Sequence, residues 1–284
     1  MFNKIIIGTA NFIKPYGILS SGKAVPENEI HTILDMILDK GINTLDTALG
    51  YGDISQFSFK KFLSNFKVIT KFSVLDDEIE ILKNFSLHKN NFQNCYGLLI
   101  HDPQNIPLVS KHKLEKLLSI FRHDYGVKKI GVSVYDMADI ENFNSICMPD
   151  IIQIPLNPFN QYFNNAHFKS FVKDNDIEIH ARSLFLQGIL LSNHLPDALE
   201  PLTPFWVNFQ KSIANSSSHL HATLQWAFNI EWVKCWVLGV SSVENVQNII
   251  NVVSATDQLV NAGALNEFQP VDHPLVDPRN WELS

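Results

Sequence analysis

A chain of 284 residues is longer than most single domains but falls in the range of an α/β barrel of ~250 residues, and it is large enough to bury a sizeable core without cross-links. A formal charge of −7 and a charged fraction of 18%, against ~25% in typical soluble proteins, exclude a basic footprint for nucleic acid or acidic lipid and leave a small molecule as the expected partner. Three cysteines, widely spaced and odd in number, point to a reducing compartment; no apolar run approaches the ~20 residues of a membrane span or has the pattern of a signal peptide, so the cytoplasm is the expected location.

In chain order, short apolar and β-branched runs recur at Ile5 to Ile7, Ile42 to Leu45, Val68 to Thr70, Tyr96 to Ile100, Lys129 to Val134, Ile151 to Ile154, Ile177 to His180 and Cys235 to Leu238. Helical spacing separates them, as in Ile30, Ile33, Leu34, Ile37 and Leu38, or in Leu114, Leu117, Leu118 and Phe121. Eight strands alternating with helices predict a parallel sheet closed into a (β/α)8 TIM barrel, one domain over residues 1–284. Pro26-Glu27 opens the first of the long helices and Lys40-Gly41 closes it, while Ser241-Ser242-Val243-Glu244 offers a hydroxyl cap to a late one. Residues 190–204, with three prolines, and the tail 255–284 have weak periodicity; both are expected as loops over the mouth of the barrel.

Reactive groups of such a barrel gather at the C-terminal ends of its strands. There the second run leads into Asp46-Thr-Ala-Leu-Gly-Tyr51-Gly52, the third ends at Lys71 and the fourth at His101. A carboxylate, a phenol, an ammonium and an imidazole at one end of three consecutive strands suit proton delivery to a developing alkoxide. A phenol with an ordinary pKa of ~10 is a sluggish donor at neutral pH, but a cation ~4 Å away favours its anion by up to ~4 kcal/mol at an effective dielectric of ~20. Lys71 is expected to supply that cation, Asp46 to keep it charged, and His101 to orient the substrate oxygen. Singly, each of the four has a plainer structural explanation as a cap, a turn, a solvated strand end or a core histidine; together and in order they favour chemistry. None is a hydride source, which implies a nicotinamide. His219 and His221 lie two apart in a helical stretch and so face different ways, and no metal is expected.

These segments resemble the aldo-keto reductase family. Gly41-Ile-Asn-Thr-Leu-Asp46-Thr-Ala-Leu-Gly-Tyr51-Gly52, Val68-Ile-Thr-Lys71-Phe and Leu98-Leu-Ile-His101-Asp-Pro are similar to its Asp, Tyr, Lys and His tetrad, in order and in strand context. Lys129-Ile-Gly-Val-Ser133 and Ile151-Ile-Gln153-Ile-Pro-Leu-Asn157 are similar to its fifth and sixth strands, which implies that Ser133 and Gln153 hold the nicotinamide carboxamide. His180-Ala-Arg182-Ser183-Leu-Phe-Leu-Gln187-Gly188 resembles the segment that covers the nicotinamide and pyrophosphate, implying cofactor contacts from Arg182, Ser183, Leu184, Leu186 and Gly188. Val237-Leu-Gly239-Val-Ser241-Ser242-Val-Glu244-Asn245 resembles the eighth strand and the helix start that receives the adenosine phosphates, implying Gly239, Ser241, Ser242 and Asn245; Thr9 and Asp46 complete the set.

The resemblance implies reduction of an aldehyde or ketone with NADPH, NADH being the alternative, and the reverse oxidation. Three positions depart from the family pattern: Val134 stands where Asn is common, Arg182 replaces an aromatic residue that stacks on the nicotinamide, and no Lys or Arg follows Ser241. Ile7-Gly8-Thr9-Ala10 with Tyr16-Gly17 resembles a branch found beside bacterial surface-sugar pathways, which points to a sugar-derived substrate. Tyr16, Asn157 and Trp281 are the candidate substrate-lining residues. A sugar epimerase or dehydratase-like enzyme that uses the cofactor transiently, and a cofactor-binding regulatory subunit, are the competing readings. Oligomeric state is open.

Overall fold

In a parallel barrel every strand is covered on both faces, by helices outside and by its own opposite wall inside, and this selects near-continuous apolar runs. The computed structural model, which describes residues 1–19, 22–52, 58–91, 94–255 and 263–281, turns those runs into β1 (Ile5–Gly8), β2 (Thr44–Asp46), β3 (Lys67–Phe72), β4 (Asn94–Ile100), β5 (Lys129–Ser133), β6 (Ile151–Pro155), β7 (Glu178–Arg182) and β8 (Cys235–Gly239). They pair in parallel in sequence order, and β1 closes the ring on β8 with Ile7 opposite Leu238 and Gly8 opposite Gly239. This is the (β/α)8 barrel that the alternation predicts. Strand limits shift by a residue or two: β2 starts at Thr44 rather than Ile42, β4 starts at Asn94, Val134 lies past β5, and β7 and β8 extend to Arg182 and Gly239.

Outside the sheet lie α1 (Ala10–Ile13), α2 (Glu27–Asp39), α3 (Glu78–Asn91), α4 (Lys111–His123), α5 (Met137–Asn144), α6 (Ala166–Asp174), α7 (Thr203–Ser212), α8 (His219–Phe228) and α9 (Val243–Ser254). The i, i+3, i+4, i+7 stripe of α2, Ile30, Ile33, Leu34 and Ile37, is fully buried against the sheet. Hydroxyl and carboxylate caps fix the helix starts: Ser242 accepts from Asn245 N in α9, and Asp136 and Asp139 form a reciprocal capping box at α5.

The stretch 190–204 is more regular than its prolines suggest. It belongs to 3-10 turns at Leu186–Leu191 and Asp197–Leu202 and to the start of α7, and Leu190, Leu199 and Leu202 are buried. Pro204 stands in the first turn of α7, where its missing N–H leaves no bond unmade. In the tail, residues 256–262 lie outside the described residues, and short 3-10 turns at Pro274–Val276 and Pro278–Asn280 follow.

Inside the barrel Ile6, Ile69, Leu99, Ile151 and Val237 form a cluster separate from the larger core between sheet and helices. Glu178, at the start of β7, draws Lys129 Nζ to 2.9 Å and accepts from the Tyr96 hydroxyl at 3.0 and 3.1 Å. These charges lie at the N-terminal ends of β5 and β7, far along the strands from the residues expected to react. The tightest point is Gly131 on β5, where an added Cβ would sit 2.0 Å from the Ile151 carbonyl oxygen. No side-chain rotation relieves a clash with backbone. Gly131→Ala is therefore expected to lower stability by ~3 kcal/mol or more, read as a lower denaturation midpoint, while Gly50→Ala, where a Cβ meets nothing within 4 Å, is expected to stay near wild type.

Candidate active site

The C-terminal ends of the strands surround a cavity of about 320 Å³. Asp46 ends β2, Lys71 lies one residue before the end of β3, and His101 follows β4 directly; Tyr51 closes a 3-10 turn, Leu49–Tyr51, just past β2. Gly52 (φ 133°) then turns the chain in a conformation that side chains disfavour. All four tetrad residues line the cavity, together with Thr9, Tyr16, Ser133, Gln153, Arg182, Ser183, Leu184, Gly188, Gly239, Ser241 and Asn245. The Tyr51 and His101 rings lie 6.4 Å apart and nearly perpendicular.

Four of the expected residues lie elsewhere. Leu186 is packed in the core, and Ser242 spends its hydroxyl as the α9 cap. Asn157 is buried and fixes a turn, accepting from Phe159 N and Asn160 N and donating to Ser183 O. Trp281 is buried in the tail with Nε1 donating to Leu275 O. Asn157 and Trp281 are thus in structural positions rather than in the cavity wall.

Lys71 and Asp46 form a buried ion pair, with side chains only 3% and 6% exposed. Lys71 Nζ also donates to Thr47 O at 3.1 Å, and the second Asp46 oxygen accepts from Gln153 Nε2 at 2.8 Å. From there Ser133 Oγ reaches Gln153 Oε1 at 3.4 Å, and Arg182 Nε reaches Ser133 Oγ at 3.3 Å. One chain of hydrogen bonds thereby crosses from β7 through β5 and β6 to β2 and β3.

The electrostatics correct one expectation. Tyr51 is pushed well above the ordinary phenol range, first by burial and then by the Asp46 carboxylate, with the Arg182 charge opposing. The expected acidification is outweighed: burial and the Asp46 carboxylate together hold the proton on the phenol. Burial also lowers Lys71, against the pull of Asp46. His101 opens partly to solvent, yet desolvation in the mouth, then Lys71 and Arg182, hold its imidazole down to about 4. It is neutral at pH 7 and able to donate one N–H.

Asn11, Leu19, Tyr135 and Leu191 also line the wall without having been expected there, and Gly8, Phe185 and Gln187 enter it from within the quoted motifs. Ser183 (φ 62°), Leu186 (φ 45°) and Gln187 (φ 53°) adopt left-handed backbone, which costs a non-glycine residue ~1–2 kcal/mol and is retained where position matters. Gln187 Oε1 accepts from Ile18 N at 3.0 Å, tying the loop after β7 to the loop after β1. Tyr135 carries Arg182 on its ring at 4.1 Å and Arg279 at 3.6 Å, and Arg279 is forked onto Asp277.

Two outcomes follow. Asp46→Asn leaves a buried ammonium without its counter-ion, so a loss of about 3–5 kcal/mol in denaturation at neutral pH is expected. In a proton-NMR titration His101 should stay neutral through the range where an ordinary histidine of pKa ~6.5 protonates, and gain its proton only near 4.

Among the described residues no helix is long and apolar enough to cross a membrane, and no three His, Cys, Asp or Glu side chains are grouped to hold a metal. No curated protein matches the chain. Among solved structures, the aldo-keto reductase AKR11C1 from Bacillus halodurans, in its holo form, is similar with a TM-score of 0.66 and 15% identity over 93% of this chain and 94% of that one. The glycerol dehydrogenase AKR11B4 from Gluconobacter oxydans is similar with a TM-score of 0.65 and 17% identity over 95% of each chain. At such identities the likeness concerns the fold. A model of the aldo/keto reductase family matches residues 4–262. With that match spanning nearly all of the barrel, the chain belongs to the aldo/keto reductase family of NAD(P)H-dependent oxidoreductases.

Proposed function

We propose that the chain reduces an aldehyde or ketone with a nicotinamide dinucleotide, Tyr51 delivering the proton, and oxidises the corresponding alcohol in reverse. The observation that carries this reading is the convergence of Tyr51, His101 and the Asp46–Lys71 pair on one cavity. The donor set fits a nicotinamide. Ser133 and Gln153 offer a hydroxyl and an amide for a carboxamide, and Thr9, Ser183, Leu184 and Gly188 form the adjoining wall, with Leu186 packed behind. A second pocket of about 290 Å³ shares Phe185, Leu191, Gly239 and Asn245 with the first, which lengthens the groove toward Ser241 and the Ser242-capped start of α9. NADPH and NADH are both candidates; among the described residues no Lys or Arg lines that far pocket to favour a 2′-phosphate.

The bound dinucleotide supplies the hydride. His101, neutral, donates an N–H to the carbonyl oxygen and sets its direction. Tyr51 holds its proton until charge develops on that oxygen, then donates it, and the ammonium that Asp46 keeps in place faces the phenolate left behind. A phenol raised above its ordinary value is fully protonated across neutral pH, so the reductive rate is expected to be flat there and to fall only in strong alkali.

The test is Tyr51→Phe. It is expected to lower kcat by about 10³-fold, within the span of general-acid catalysis, with dinucleotide affinity unchanged by calorimetry. Turnover without net oxidation of the reduced dinucleotide identifies an epimerase or dehydratase-like reaction instead, and dinucleotide binding with no turnover of any carbonyl, sugars included, identifies a regulatory role.

A further inference from the structure

A guanidinium at the reaction centre lacks the anion its surroundings call for. Arg182 ends β7 and lines the cavity. Among the described residues it donates only to neutral oxygens: Ser133 Oγ at 3.3 Å, Ser183 Oγ at 3.4 Å and Val134 O at 3.1 Å. These bonds use Nε and one N–H on each terminal nitrogen, so one N–H on each terminal nitrogen has no partner among the described residues. Its ring-stacking partner Tyr135 holds the plane in place, and Arg279 backs the same ring from the tail.

Nearby carboxylates are already engaged. Among the described residues Asp46 is the only carboxylate lining the cavity, and it is bound to Lys71 and Gln153. Asp277 is forked by Arg279, and Asp139 accepts from Tyr135 N and Asp136 N. A second cation, Lys14 Nζ, stands 5.6 Å over the Tyr51 ring. Among the described residues no carboxylate is bonded to the Arg182 guanidinium, and its charge acts on Tyr16, Tyr51, Lys71 and His101 alike. Its bonds to Ser133 and Val134, and through Ser133 and Gln153 to Asp46, place it at the reacting end of the groove rather than at the end near Ser241 and Asn245. A planar fork with two free N–H groups matches a carboxylate.

We infer that Arg182 selects carbonyl substrates that also carry a carboxylate, which it receives beside Tyr51 while the carbonyl is reduced. The inference rests on the reductase reading above and names its substrate class. No bond to Arg182 forms or breaks during turnover; the guanidinium sets which substrates dwell in the site.

The test uses the full chain with its preferred dinucleotide and a series of aldehydes carrying a carboxylate two to four carbons from the carbonyl, each paired with its neutral methyl ester. Wild type is expected to favour the best acid over its ester by about 30-fold in kcat/KM at low salt, as for a desolvated charge pair. In Arg182→Gln that ratio should fall to about one, and in Arg182→Lys it should be partly restored, since charge remains without the fork. A ratio cancels any loss common to both substrates. Turnover of esters equal to or better than acids by wild type overturns the inference and leaves the reductase reading standing. An unchanged ratio in Arg182→Gln with weakened dinucleotide binding by calorimetry assigns the guanidinium to the cofactor and also overturns it. No turnover of any acid or ester ends both readings. Should Arg182→Gln not fold, the wild-type ratio and that of Arg182→Lys decide the matter.

Discussion

The site is organised by an ion pair that has almost no contact with water. Placing an ammonium and a carboxylate together inside a barrel mouth costs several kcal/mol per ion in lost hydration, recovered only if each oxygen and proton finds a partner. Asp46 meets this condition with Lys71 on one oxygen and Gln153 on the other, and Lys71 adds the Thr47 carbonyl. Three strands therefore have to arrive in register before the pair is tolerable, and the barrel supplies that register. Burial and the Asp46 member of that pair keep the proton on Tyr51, so the phenol remains a reservoir of one proton rather than an ionised base.

How much of this was readable from residues alone depended on the range of the interaction. Strands and helices follow from local periodicity, and the stripe Ile30, Ile33, Leu34, Ile37 or the run Leu98 to Ile100 needs no distant partner to be recognised. The tetrad was legible because barrel strands place their ends together whatever lies between. The Gln153 to Asp46 bond joins residues 107 positions apart and has no local trace. Positive φ at Leu186 and Gln187 is likewise invisible, since neither residue type announces it. Asn157 and Trp281 show the converse: a polar or aromatic residue near a strand end or in a tail is as useful for tying a turn as for lining a cavity. The prolines of 190–204 misled for a related reason, because proline starts a helical turn as readily as it interrupts one.

The mouth is held together by elements remote in sequence. The loop after β1 is pinned to the loop after β7 through Ile18 and Gln187, and the tail reaches Tyr135 through Arg279. The left-handed residues between Ser183 and Gln187 sit where these ties meet. Strain retained at that point is consistent with a wall whose shape matters more than its comfort. Arg182, stacked on Tyr135 and bonded to Ser133, belongs both to this rim and to the hydrogen-bond chain that ends at Asp46.

Closure of β1 on β8 has a further consequence for the chain as a solute. An open sheet ends in two rows of unsatisfied backbone groups, and proteins keep such borders from recruiting strands of other molecules with lysines, bulges or prolines. A ring has no such border. A chain in which only 18% of residues are charged is thereby spared one reason to carry more.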